Sequence, residues 1–217
     1  FRLDCCIFYL FNSIILLSLS AEINIRQENH YYFLLMNEIE NLIGELGKKL
    51  STQISVPIVV GGWAVNLLGC PRQTIDFDFM IVEDEFDMFS QAFKALGFQE
   101  TIRTTMYARF ESNNKSESGK LYFDCLFIDR NTYGKIAQAG KTVNVFGTNF
   151  ILPDPMHIIA MKLHALKHSS NASRNKDFDD IVSLIALQKI DTSKNSDFEV
   201  LCGKFGNEEI LRRIRNE

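Results

Sequence analysis

The chain has 217 residues, 46% of them hydrophobic, and a formal net charge of −4 at pH 7. This length and composition suffice for one mixed domain with a substantial core and a helical extension. The acidic balance argues against a broadly basic nucleic-acid-binding surface, although it leaves room for a local patch.

The first 35 residues contain a strongly apolar stretch. The chain begins with Phe1, and residues 5–21 carry no charge. The length of this uncharged stretch is at the lower limit for a helix that spans a membrane. A signal peptide, a membrane anchor and a core helix are alternatives for this stretch. We favour translated upstream sequence with the natural start at Met36, so residues 1–35 are expected to be dispensable. The five cysteines include no C-x-x-C pair, which favours reduced thiols in a cytoplasmic protein. A membrane partner is not expected, although the apolar leader leaves membrane association open.

Helices and strands are mixed along residues 36–152, as hydrophobic periodicity indicates. The predicted helices are 36–52, 62–69, 84–96 and 132–139, and the predicted strands are 58–60, 75–82, 98–103, 105–112, 120–128, 141–145 and 148–152. Residues 113–119 are typical of a polar hairpin loop. After residue 152 the pattern is helical, because Asp154 can cap a helix that has Pro155 at its first position. Another helix is predicted to begin near Arg174.

Residues 61–78 are the most informative stretch, because a Gly pair opens a short helix and two carboxylates follow one residue apart. Alternation along a strand places Asp76 and Asp78 on one face. Two neighbouring carboxylates repel, and their desolvation is costly unless a cation binds. Oxygen ligands at a strand end suit Mg²⁺ and a phosphate-bearing substrate.

Asp124 is the only charge in the apolar segment 121–128, which is typical of a strand buried on both faces. A metal shared with Asp76 and Asp78 would give this carboxylate a partner. Two alternatives stay open at this point. Asp124 could pair with a buried arginine, and Asp76 could cap a turn.

Three features together resemble the signature of the nucleotidyltransferase superfamily: the Gly61-Gly62 turn, the run Arg72-x-Thr74-x-Asp76-x-Asp78, and Asp124. The Gly-Gly-Trp-Ala-Val-Asn opening is similar to abortive-infection (AbiEii-like) toxin nucleotidyltransferases, and also to lincosamide and aminoglycoside nucleotidyltransferases. The core of the resemblance spans about residues 57–128. The small-molecule enzymes commonly carry an acidic residue at the position of Asn66, so this residue favours the toxin-like branch.

The resemblance implies an α/β (α+β) fold, with a nucleotidyltransferase-type mixed sheet flanked by helices and a C-terminal helical region. Residues 36–152 would form the catalytic core and 153–217 the helical region, with the 1–35 leader outside the domain. The implied reaction moves NMP from an NTP to an acceptor hydroxyl, with Mg²⁺ or Mn²⁺ held by Asp76, Asp78 and Asp124. Asp124 would also lie near the incoming hydroxyl as a possible general base.

The resemblance also implies a nucleotide site that draws on two parts of the chain. Its residues would be Gly61, Gly62, Arg72, Thr74, Lys162, Arg174, Lys176, Asp177 and Asp180. Glycines let the backbone approach a phosphate, Lys162 would contact the triphosphate, and the aspartates would orient the basic side chains. The alternatives are a plain strand-to-helix turn at the glycines and a surface Lys176–Asp180 pair on a helix whose acids favour its dipole.

Three functions follow from this resemblance. A toxin-like enzyme would modify an RNA or protein hydroxyl and have a possible antitoxin protein as partner. An antibiotic adenylyltransferase for lincosamides or aminoglycosides is the second. A non-catalytic nucleotide-binding member is the third, and the presence of all three carboxylates weighs against it.

Overall fold

The computed structural model describes residues 36–50, 54–74, 76–113, 120–168 and 171–216, the last range with its side chains from Lys176 onward. The apolar leader 1–35, most of the predicted hairpin loop and the side chain of Arg174 lie outside this description. None of the described helices is long and apolar enough to cross a membrane.

Eight α-helices and seven strands follow one another in the described part of the chain, and they confirm the predicted mixed α/β class. The helices are α1 (36–49), α2 (Gly61–Leu67), α3 (Phe86–Ala95), α4 (Arg130–Ala139), α5 (Pro155–His168), α6 (Asn171–Gln188), α7 (Asp197–Phe205) and α8 (Glu208–Arg215). The strands are β1 (Ile58–Val59), β2 (Phe77–Val82), β3 (Phe98–Arg103), β4 (Tyr107–Ser112), β5 (Tyr122–Ile128), β6 (Lys141–Val145) and β7 (Thr148–Leu152).

All seven strands form one mixed sheet in the order β3-β4-β5-β2-β1-β7-β6. The β2–β5 and β1–β7 pairs are parallel, and the remaining neighbours are antiparallel. Parallel pairing brings β2 beside β5, although α3 and the β3–β4 hairpin separate them in sequence. The two aspartate-bearing strands are therefore immediate neighbours.

Phenylalanines fill the core on one face of the sheet. Alternation along β2 buries Phe77 and Phe79, and α3 presents Phe93 to the same face. The rings of Phe79 and Phe93 stack with their centroids 5.8 Å apart, and Phe93 lies 5.0 Å from Phe123 of β5. The packing of these aromatic side chains fixes the phase of β2 and β5 and leaves their aspartates on the opposite face.

Two sequence predictions need correction. Strand β2 begins at Phe77 rather than 75, so Asp76 lies just ahead of the strand as an exposed residue. Strand β5 is not buried on both faces, because its odd-numbered residues are buried whereas its even-numbered residues, including Asp124, are half-buried. The apolar composition of β5 concealed this alternation, since half-buried Leu and Ile look the same in sequence as buried ones.

The termini of several helices also differ from prediction. Helix α2 begins at Gly61 itself, α4 begins two residues early at Arg130, and α6 begins at Asn171. The early start of α4 follows from Asp129, whose side chain accepts hydrogen bonds from the backbone N–H groups of Asn131 and Thr132 at 2.9 Å. Asp129 is thus a helix cap.

Helix α1 lies against β7 at a point of close packing. The Thr148 hydroxyl donates to the carbonyl of Ile43 at 2.6 Å, and a Cβ built on Gly47 would overlap the Thr148 side chain. Gly134 in α4, in contrast, has open space where a Cβ would lie.

We expect Gly47→Ala to lower the free energy of unfolding by about 1–3 kcal/mol, because the added methyl overpacks the α1–β7 contact. The matched change Gly134→Ala should leave stability unchanged or raise it by about 0.4–1 kcal/mol, since it restricts only the unfolded chain. Chemical denaturation of both variants measures the difference. Equal effects of the two substitutions would contradict the described packing of α1.

Candidate active site

Asp78 and Asp124 lie side by side on neighbouring parallel strands, where they are direct cross-strand partners. Burial raises the pKa of Asp78 from 3.8 to about 6, and the nearby charges of Asp124 and Asp76 add to the rise, against the opposing effects of Arg109 and Lys162. The structure therefore brings the three predicted carboxylates into one region with an excess of negative charge. A cation bound there would relieve that excess.

Gly61 allows the start of α2 to touch Asp78. Its φ is +62°, and a Cβ at this position would overlap the Asp78 carboxylate. The backbone N–H of Val60 also donates to the carbonyl of Asp78 at 2.9 Å. A side chain at residue 61 would thus be strained and would displace the carboxylate, so this turn is more than a simple strand-to-helix connection.

The Gly61-Gly62 turn is also close to Arg72 and Thr74. A Cβ on Gly62 would lie 2.6 Å from Thr74 Oγ1 and 2.7 Å from a terminal nitrogen of Arg72. Asn66 holds this loop, since its amide oxygen accepts from the Arg72 N–H at 2.7 Å and its amide nitrogen donates to the Arg72 carbonyl at 3.0 Å. An acid at position 66 would lack the amide N–H that donates to the Arg72 carbonyl, so Asn66 has a local role that sequence reasoning missed.

Lys162 joins α5 to α6 and to the Arg72 loop. Its ammonium lies 3.0 Å from Asp177 and 2.6 Å from Asp180, and Arg72 binds the same Asp180 oxygen at 2.8 Å. The Lys162 and Asp180 side chains are only 9% and 7% exposed, so two cations and two acids compensate each other within the protein. Asp180 therefore faces inward and is not part of a surface pair with the exposed Lys176.

Arg109 binds Asp124 with both arms of its fork. Its Nε donates to one carboxylate oxygen at 2.7 Å and a terminal nitrogen donates to the other at 2.6 Å. The alternative in which Asp124 pairs with an arginine is therefore realised, although Arg109 is 36% exposed. Arg109 could have been found from sequence, because a β4–β5 hairpin centred on the polar loop makes residues 109 and 124 cross-strand partners.

The three predicted metal ligands do not form a preformed cluster. Within the described ranges, no three His, Cys, Asp or Glu side chains are grouped closely enough to hold a metal ion. Asp76 is exposed ahead of β2, and Arg109 occupies both oxygens of Asp124. The all-oxygen set and the charge excess at Asp78 fit a divalent cation held by Asp76 and Asp78.

Solved structures place this architecture among known proteins. The structure is similar to that of an antigenic nucleotidyltransferase-like protein from Paracoccidioides brasiliensis, at 19% identity and a TM-score of 0.51 over 77% of this chain and 87% of that one. It is also similar to ANT(2")-Ia in complex with adenylyl-2"-tobramycin, at 12% identity and a TM-score of 0.54 over 82% of this chain and 98% of that one. The chain has the nucleotidyltransferase fold. No protein-family model matches the sequence, and no curated protein is similar enough to it to match.

The raised pKa of Asp78 predicts how stability depends on pH. The folded protein holds this proton more tightly than the unfolded chain, so the associated stability is present below pH 3.8 and is lost as pH rises through about 6. Asp78→Asn removes the buried charge and should raise the free energy of unfolding at pH 7.5 by about 2 kcal/mol relative to the parent.

Urea denaturation from pH 4 to pH 7.5 measures this prediction, and the difference between variant and parent should shrink toward pH 4. The control Asp129→Asn should give no gain at pH 7.5, because hydrogen bonds at the cap of α4 lower the pKa of Asp129. A difference for Asp78→Asn that is constant over this pH range would contradict the charge excess at the site.

The Lys162 network predicts a second stability effect. Asp180→Asn leaves the cations of Arg72 and Lys162 with a single acid between them, and should lower the free energy of unfolding by about 3 kcal/mol. The exposed neighbour gives a matched control, since Asp179→Asn should change stability by no more than about 0.5 kcal/mol. Thermal or chemical unfolding of both variants decides the matter, and a small effect at Asp180 would count against a compensated network.

Proposed function

We propose that this protein is a metal-dependent nucleotidyltransferase that moves NMP from an NTP to an acceptor hydroxyl. The observation that carries the proposal is the cross-strand pairing of Asp78 with Asp124, next to the turn where Gly61 approaches the Asp78 carboxylate. These features occur on a fold that the chain shares with nucleotidyltransferases. Mg²⁺ or Mn²⁺ at Asp76 and Asp78 would supply charge neutralisation for the phosphates when bound.

Residues of the chain would accept the proton and bind the triphosphate. The acceptor oxygen would form a bond to the α-phosphorus. The bond between the α-phosphorus and the oxygen that bridges it to the β-phosphorus would break, and pyrophosphate would leave. Asp124 is the candidate that takes the hydroxyl proton, because it lies beside Asp78 on the face opposite the phenylalanine core. The Gly61-Gly62 backbone, Arg72 and Thr74 form the surface proposed for the triphosphate.

Lys162 has a different role in this proposal from simple phosphate contact. Because Asp177 and Asp180 hold its ammonium, Lys162 fixes α6 against the Arg72 loop and adds positive potential at Asp78. In this proposal Asp177 and Asp180 orient Lys162, and Asp180 also orients Arg72. Arg174 and Lys176 stay predicted contacts of the nucleotide, Arg174 with a side chain beyond the described residues and Lys176 with an exposed one.

For the acceptor, RNA or a protein hydroxyl is our first proposal, with an antitoxin protein as the corresponding partner. The half-exposed face around Asp124 carries Tyr107, Arg109 and Tyr122, and the Arg109 guanidinium lies 5.4 Å from the Tyr122 ring centre. Such a surface suits planar or anionic groups better than a polycation. The second candidate is antibiotic adenylylation, favoured by the similarity to a protein solved with adenylyl-2"-tobramycin.

Transfer assays with labelled NTPs test the proposal. The full chain is incubated with each α-labelled NTP and Mg²⁺ or Mn²⁺, and separately with total RNA, with protein extract, and with lincosamide and aminoglycoside antibiotics. We expect label on RNA or protein, and we expect Asp76→Asn with Asp78→Asn to abolish it because the proposed cation ligands are lost. Asp179→Asn should retain transfer.

The outcomes separate the candidates. Label on an antibiotic alone would replace the first acceptor class by the second. Equal transfer by the double variant, or NTP binding by calorimetry that is undiminished in EDTA, would contradict metal-dependent nucleotidyl transfer.

A further inference from the structure

The Arg109–Asp124 ion pair involves the carboxylate that we propose as the acceptor of the hydroxyl proton. Each Asp124 oxygen accepts one N–H from the Arg109 guanidinium, which is the strong, geometrically specific form of an ion pair. Antiparallel pairing of β4 with β5 makes the two residues cross-strand partners, so the sheet itself holds them together. The Asp124 side chain is only 16% exposed, which limits competition from water.

Among the cations around the two strand carboxylates, Arg109 has a distinct position. Lys162 and Arg72 are compensated by Asp177 and Asp180, whereas Arg109 directs its fork at Asp124. A divalent cation near Asp76 and Asp78 would repel this guanidinium, because both positive charges would share one small group of carboxylates. Asp124 therefore has two competing cationic partners.

The guanidinium already has a second partner beside the carboxylate. Its carbon lies 5.4 Å from the centre of the Tyr122 ring, close enough for a cation–π contact. Arg109 is also 36% exposed, so water can solvate it once it leaves the carboxylate. Release from Asp124 thus requires a side-chain rearrangement and no change in the strands.

We propose that Arg109 is a positioning residue that competes with the divalent cation for Asp124 and moves toward Tyr122 when the cation binds. This inference rests on the proposed function, because that function supplies the cation. In the metal-free protein, Arg109 neutralises and orients Asp124. When Arg109 leaves, Asp124 becomes free to bind the cation or accept the acceptor's proton.

Direct Mn²⁺ binding tests the inference without relying on activity. Free Mn²⁺ is followed by electron paramagnetic resonance during titration of the full chain, for the parent and for Arg109→Gln. We expect Arg109→Gln to bind Mn²⁺ about tenfold more tightly, because the competing charge has gone. Arg109→Lys keeps the charge without the fork and should tighten binding less.

Two controls make the result specific. Arg130→Gln removes an arginine that pairs with the buried Glu85 at 3.2 Å, at the other end of β5, and should leave Mn²⁺ affinity unchanged. In an Asp124→Asn background, Arg109→Gln should give no further gain, because the shared partner is absent. Thermal unfolding checks the fold of each variant, and Arg109→Lys carries the test if Arg109→Gln does not fold.

Unchanged or weaker Mn²⁺ binding by Arg109→Gln, with clear binding by the parent, would overturn the inference and leave the proposed function standing. A gain that persists without Asp124 would overturn it as well, since the effect would then be general electrostatics. Absence of Mn²⁺ binding in every variant would overturn both the inference and the metal-dependent function. Tighter Mn²⁺ binding by Arg109→Gln, together with no NMP transfer by the parent, would support the role of Arg109 and contradict only the proposed transferase activity.

Discussion

The parallel pairing of β2 with β5 is the constraint on which the rest of the site depends. It sets Asp78 beside Asp124, and two half-buried carboxylates at such a spacing need positive charge nearby. The protein provides that charge from two directions. Arg109 approaches from the adjacent strand β4, and Lys162 contributes from the helical region through a network that its own acids keep compensated. Gly61 completes the arrangement because only a residue without a side chain can pass so close to Asp78.

Much of the fold could be predicted because its signals are local. The spacing of phenylalanines on α3 and the alternation along β2 depend only on helical and strand periodicity, so they identified the buried face. The bounds of β6 and β7 agree with the prediction to the residue, since turn residues separate two short alternating segments. Recognition of the nucleotidyltransferase fold depended on a combination of motif residues, and solved structures bear it out at the level of the fold.

The parts that could not be predicted depend on tertiary contacts. Nothing in the composition of β5 shows that one face of the strand stays half-buried. Lys162 and Arg72 share one oxygen of Asp180, and no local sequence pattern shows this contact between α5, α6 and the Arg72 loop. Asp76 appeared to extend the strand, but β2 begins one residue later. The half-buried face of β5 and the shared partner of Lys162 and Arg72 are set by packing between elements distant in sequence, whereas the start of β2 is a strand boundary, which periodicity defines poorly.

The central claim is that the carboxylates on β2 and β5 and the turn at Gly61 form one nucleotide and cation site, with Arg109 as its removable internal cation. A crystal structure of the full chain with Mg²⁺ and a non-hydrolysable NTP analogue tests this claim most directly. We expect triphosphate density at the Gly61-Gly62 turn, Mg²⁺ on Asp76 and Asp78, and the Arg109 guanidinium displaced from Asp124 toward Tyr122. Triphosphate bound elsewhere, or Mg²⁺ bound at the aspartates with the Arg109–Asp124 fork intact, would contradict it.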